Sequence, residues 1–368
     1  MNSGNYNMNK GDFKLPLHPN SLSVAAKTVL TVIATFLMTL CGVWNMLGIA
    51  ANNGTVLMLT GMLSMLVYFI VGGICALLVL EAPRLAGVPP IISFVFIMAF
   101  FGIMNGGFRV AFLADALMSL FPAVGGAILA IAMKRGAKRS GAILASSMGT
   151  GIFAALVLIL SVYLAGGVID GESLISVVDQ ARVNLIESFE AQLEILKTEL
   201  PDYDLSSLDV EGTVNGVFNM LPAMLVLVFN AIAFFSNLSL LALLRILDLY
   251  HKLERSDIEF KVSPVTAGVF AVSYIMAVVL AASDNVALAV FDNLSMILMP
   301  ALAVVGLMDS LPRKDGNTVR VGCFPLILSG VLMMFFPSLG VLVLAIFGTF
   351  YTLRAAWMNV KNKKEDNK

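Results

Sequence analysis

The sequence predicts an all-α, polytopic membrane helix bundle of nine or ten transmembrane helices, with one long extracytoplasmic amphipathic helix set between two membrane blocks. Three observations predict it. The 368-residue chain is 59% hydrophobic and 13% charged, with a mean hydropathy of +0.91, far too apolar for a soluble domain with a largely polar surface. Apolar runs of about 20 residues, the length needed to cross the hydrocarbon layer, recur along it. The charges are segregated: of 23 Lys and Arg, all but Arg109, Arg182 and Lys197 lie at the chain ends or in alternate connections.

The first twenty residues are polar and carry no basic-then-apolar leader, so they read as a cytoplasmic tail and the first span as its own anchor. Residues 21–166 form an amino-terminal membrane block of five spans: Val24 to Ile49, Val56 to Leu80, Ile91 to Met104, Val110 to Met133 and Ala142 to Ala165. Gly72 with Ala76, and Ser147 with Gly151, are small-xxx-small pairs suited to close helix packing.

Residues 167–213 form the one long polar passage. Eleven acids lie there against Arg182 and Lys197. Leu174, Val178, Ala181, Leu185, Phe189, Leu193, Leu196 and Leu200 fall three or four apart, the spacing of one helical face. The pattern predicts a helix over 173–200, capped by Asp170 or Ser173 and stopped by Pro201.

Residues 214–354 form the second membrane block, with spans at Val217 to Leu244, Val265 to Ala282 and Val286 to Met308, then an apolar run from Val321 to Leu353. Phe336-Pro337-Ser338-Leu339-Gly340 splits that run. A hairpin turning at Pro337 makes ten spans; a single kinked helix makes nine. Lys and Arg mark cytoplasmic connections. Here they precede the first span and follow the second, fourth, sixth and eighth, and Arg354, Lys361, Lys363, Lys364 and Lys368 crowd the tail at 355–368 and its approach. The rule therefore favours the hairpin and predicts both termini in the cytoplasm and the acidic helix outside.

Ionisable groups deep in a bilayer cost about 2.5 to 3.5 kcal/mol on insertion scales, so each needs a partner, water or the interface. Asp115 lies in the fourth span after the turn holding Asn105 and Arg109. Asp292 and Asn293 lie comparably deep in the eighth, after the turn holding Asp284. Asp115-Ala-Leu-Met-Ser-Leu-Phe-Pro122-Ala123 resembles Asn293-Leu-Ser-Met-Ile-Leu-Met-Pro300-Ala301, with the polar group nearly two turns before its proline. Matched interruptions in two halves point to a transporter site. The alternative is local: Asp115 pairs with Arg109 near the outer face. Asn230 and Asn237, with Ser236, sit on the sixth span as interhelical hydrogen-bonding groups or as ligand contacts. Asn105, Arg109, Asp115, Asn230, Asn237, Asp284, Asp292 and Asn293 are thus the candidate solute-binding residues, with Asp115 and the Asp292-Asn293 pair expected to face one polar cavity.

No catalytic constellation is predicted. His18 and His251 are far apart, Cys41, Cys75 and Cys323 lie in apolar runs, and there is no phosphate-binding glycine loop or hydrolase elbow. The sequence implies no enzyme, cofactor, metal or nucleic-acid partner.

Phe121-Pro122-Ala123-Val124-Gly125-Gly126-Ala127-Ile128-Leu129 before the basic cluster Lys134 to Arg139, Leu221-Pro222 through Asn230 to Arg245, and Asn293-Leu294-Ser295-Met296-Ile297-Leu298 before Gly306-Leu307 resemble the YybS-like family of bacterial multi-pass membrane proteins. The amino-terminal half is similar, at the level of fold, to the solute-binding membrane subunits of energy-coupling-factor transporters. The leading reading is a bacterial inner-membrane protein that binds or conducts a small-molecule solute at a site between the fourth, sixth and eighth spans near the outer face, with an ATPase or membrane partner on the basic cytoplasmic loops. The alternative is a non-transporting scaffold of a cell-envelope complex. In either case the lipid bilayer is the immediate surrounding.

Overall fold

The computed structural model describes residues 22–50, 54–104, 106–107, 111–164, 171–199, 209–249, 260–281, 286–310, 313–315, 318–320 and 323–366. It is a helical bundle whose chain divides into two compact units, residues 1–166 with 229–259 and residues 167–228 with 260–368. Among the described residues, seven helical stretches are long and apolar enough to cross a membrane, one of them, Ala116–Lys134, containing a break, and the protein is a multi-pass membrane protein in contact with lipid.

The first unit holds α1 (Val24–Ala50), α2 (Gly54–Glu81), α3 (Val88–Met104), α4 (Ala111–Met118), α5 (Phe121–Lys134) and α6 (Arg139–Leu164). Helix α2 packs on α1 and α5, and α5 on α6. Hydrophobic attraction between helices is weak in lipid, so close van der Waals fit and hydrogen bonds carry the packing. Gly126 of α5 supplies the fit, because a Cβ there would strike the Gly72 carbonyl of α2. Ser146 Oγ donates to the Gly125 carbonyl across the α5–α6 contact at 2.8 Å. Between α1 and α3, Thr39 Oγ1 donates to Ser93 Oγ (3.2 Å), which donates to the Thr35 carbonyl (3.1 Å).

The predicted fourth span is not one helix. It breaks at Ser119-Leu120 into α4 and α5, and Pro122 opens the new helix, where a missing N–H costs nothing. Ser119 Oγ returns to the Ala116 carbonyl at 2.6 Å and the Leu120 N–H to Leu117 at 3.0 Å, which close the turn.

The second unit holds α7 (Gly171–Glu199), α9 (Pro264–Leu280), α10 (Val286–Ser310), the strands β1 (Arg313–Asp315) and β2 (Thr318–Arg320), α11 (Cys323–Phe335) and α12 (Pro337–Asp366). Ala267, Phe270, Leu302, Ala303, Leu344 and Ala345 form its buried core. Helix α7 matches the predicted amphipathic helix. It starts at Gly171, which puts Ser173 inside the first turn; Asp170 and Pro201 lie outside the described residues. Arg182 of α7 sits over the Phe218 ring at 5.4 Å and 3.8 Å from Asp179.

The terminal apolar run breaks at Phe336, with Pro337 opening α12, and α11 packs against α12. Helices α3 and α9 have 17 residues each and α11 has 13, so these three are short for a span. The antiparallel pair β1–β2, in register Arg313 with Arg320, was not anticipated. Its signal in the sequence was the Gly-Asn dipeptide at 316–317, a pair favoured in two-residue hairpin turns.

One helix belongs to both units. Helix α8 (Val210–Ile246) spans 37 residues, its part up to Val228 in the second unit and the rest in the first. Asp209 caps it, accepting the Gly212 N–H at 2.8 Å. Pro222 lies in its interior.

Candidate functional site

Pro222 determines the local chemistry of α8. A proline inside a helix has no N–H to give and its ring pushes on the carbonyl one turn earlier, so the turn opens. In water the exposed backbone groups are solvated; in a bilayer each unsatisfied one costs several kcal/mol.

Asn293 of α10 fills that opening. Its Oδ1 accepts the Ala223 N–H at 3.0 Å, and its Nδ2 donates to the Asn219 carbonyl at 2.9 Å. Those two backbone groups would bond to each other in an unbroken α-helix. The same Nδ2 donates to the Ala289 carbonyl of its own helix at 2.6 Å. The amide can take only this orientation, since the flipped one would face donor to donor and acceptor to acceptor. Asn293 therefore splices a side chain from one helix into the backbone ladder of another.

Around the splice are more polar groups. Asp292 is the next residue, half-buried, with no hydrogen bond or ion pair to its carboxylate among the described residues. Ser295, buried, donates to the Asp292 carbonyl at 2.9 Å. Asn215 is half-buried and Asn219 exposed, one turn apart on α8. Oxygen-rich acceptors and one unpaired carboxylate make a joint suited to a polar or cationic ligand group.

The first unit has a second polar cluster. Arg139, at the start of α6 and 6% exposed, donates from Nε to Asn237 Oδ1 at 2.8 Å. Its guanidinium also lies 5.9 Å from the centre of the Phe234 ring. Asn237 is wholly buried. Beside it on α8, Ser236 presses on α2, where a Cβ on Gly72 would strike its Oγ. Neither Ser236 Oγ nor Asn237 Nδ2 has a hydrogen-bond partner among the described residues.

The structure thus brings together Asp292 and Asn293 with α8, and gives Asn237 a partner. Asn230 is half-buried on α8. Asn105, Arg109 and Asp284 lie outside the described residues, as does the Asp115 side chain, whose backbone is in α4. Asp115 belongs to the first unit, and Asp292 and Asn293 to the second. The two stretches that resemble each other in sequence fold differently: the chain breaks before Pro122, whereas α10 continues through Pro300. The helix persists there because α10 is held on both sides, by Asn293 before the proline and by its contact with α12 after it. Sequence reasoning missed Asn219 and Arg139. Pro222 inside an apolar run signalled an opened turn in need of a partner. Arg139 gave no signal, since it stands among basic neighbours that are exposed.

Fold and polar joints together define a multi-pass α-helical membrane protein with side-chain hydrogen bonding at a helix interruption. No family model, curated protein or solved structure matches the chain.

Proposed function

We propose that the protein binds or conducts a small polar solute in a bacterial inner membrane, with the α8–α10 joint as its contact region. The Asn293 splice at Pro222 carries the reading. Interrupted helices that present backbone and side-chain acceptors at membrane depth are how secondary transporters build substrate and ion sites. Asp292 then supplies charge, and Asn215 and Asn219 supply amide contacts. The reading is non-enzymatic, with both termini cytoplasmic, and it accommodates an ATPase partner on the basic connections. Kinship with the YybS-like proteins is part of it and rests on the sequence motifs alone.

The test is a search for bound solute. Protein purified in mild detergent is denatured and its extract analysed by mass spectrometry, and a panel of amino acids, nucleosides and vitamins is screened by thermal shift. Any binder is then titrated against Asp292→Asn. A polar solute whose affinity falls about tenfold, roughly 1.4 kcal/mol, in that variant supports the reading. No co-purified solute and no shift across the panel overturns it.

A second reading, a non-transporting scaffold, is favoured by α7. Ile175, Phe189 and Ile195 are exposed on it, among acids that a lipid surface would not attract. A stable complex partner lost on Phe189→Glu would favour that reading.

A further inference from the structure

We infer that the start of α6 is an oxyanion site, formed by Arg139 and the unpaired amide of Asn237, that takes a phosphate or carboxylate group. The inference begins from the orientation of one amide. Arg139 Nε donates to Asn237 Oδ1 at 2.8 Å, which fixes which end of the amide is oxygen. Nδ2 is thereby committed to face a place where no described acceptor stands. Asn237 is wholly buried, and a buried donor left unmade costs about 1 to 3 kcal/mol. Arg139 has a further interaction of its own, and the open valence is that of the amide.

The missing group must present lone pairs, and its sign follows from the surroundings. Arg139 is buried, and its positive charge raises the potential around the amide. Arg139 is also the first residue of α6, where the helix dipole is positive and favours an anion over a cation. Arg135 and Lys138 are exposed on the same connection and add a field that draws anions toward it. The neighbouring Ser236 hydroxyl is different: it is wedged against Gly72, and its environment is a helix contact with no room for a ligand. An oxyanion accepting from Asn237 Nδ2 satisfies the donor beside a positive side chain.

A lipid phosphate and a free phosphate present the same oxygens, and one experiment separates them. The full chain in detergent is melted with added phosphatidylglycerol, with phosphatidylcholine, and with inorganic phosphate against chloride at matched ionic strength. The expected result is a raised unfolding midpoint with phosphatidylglycerol, with inorganic phosphate, or with both. A shift with the lipid alone assigns the site to a headgroup; a shift with inorganic phosphate assigns it to a free oxyanion. Asn237→Asp accepts from Arg139 through its own carboxylate and removes the donor, so it should fold and lose the shift. Lys138→Gln, outside the site, should keep it. No shift in the wild-type protein, or an equal shift in Asn237→Asp, would mean that a water molecule or the surface lysines account for the observations, and would overturn the proposal.

Discussion

Gly306 of α10 and Gly348 of α12 cross backbone to backbone. A Cβ on Gly306 would strike the Leu344 carbonyl, and one on Gly348 the Leu302 carbonyl. The contact is reciprocal, so neither helix can retreat without opening the core formed by Leu302, Ala303, Leu344 and Ala345. Gly348→Leu is expected to cost at least about 3 kcal/mol, because the atoms it meets are main chain and cannot rotate away. Gly268→Ala and Gly330→Ala stand in helices with nothing near the added carbon. They should stabilise by about 0.5 to 1 kcal/mol through helix propensity. Unfolding midpoints of the three variants in one detergent check the contrast. Equal effects at positions 330 and 348 would show that α10 and α12 do not meet this closely.

Helix α7 should show a helical period in accessibility. Arg182, Leu185, Ile186 and Leu193 are half-buried, while Ile175, Glu190 and Glu194 are exposed. Spin labels stepped from position 175 to 197 should be slow and protected at the first set and mobile at the second, repeating about every 3.6 residues. A flat, mobile profile would mean that the acidic passage is an irregular loop.

The charge pattern assigns both termini to the cytoplasm and α7 to the outside. Cysteines placed at Ser3, Glu190 and Asn367 of a cysteine-free variant, treated with an impermeant thiol reagent on intact cells, should label at position 190 only. Labelling at position 367 would put the basic tail outside, against the orientation expected from its lysines.

The long amphipathic helix was legible because its apolar residues keep a 3.6-residue period against a polar background, and the spans were legible because hydrocarbon demands long apolar runs. An interruption near Pro122 was legible from the proline, but a full break at Ser119-Leu120 was not. Its residues are nearly as apolar as their neighbours, and what opens the chain there is a serine hydroxyl closing on Ala116. Asn293 could be recognised as a residue in need of a partner, but amide chemistry does not say whether that partner is a solute or a helix. Its contact on α8 lies seventy residues away in sequence. Arg139 was read with an exposed basic cluster, and only tertiary contact with Asn237, 98 residues distant, buries it.

The account turns on Asn293 completing the backbone of α8 at Pro222, and a double-mutant cycle measures that directly. Asn293→Ala should lower unfolding free energy by about 2 kcal/mol, since it removes interhelical bonds and leaves main-chain groups of α8 unpaired. Pro222→Ala restores an N–H and lets the turn close on itself, so α8 no longer needs the amide. In that background Asn293→Ala should cost less than half as much, giving a coupling of at least about 1 kcal/mol between two residues on different helices. Strictly additive losses would contradict the account, because they would mean that Asn293 acts elsewhere and that the opened turn of α8 is satisfied without it.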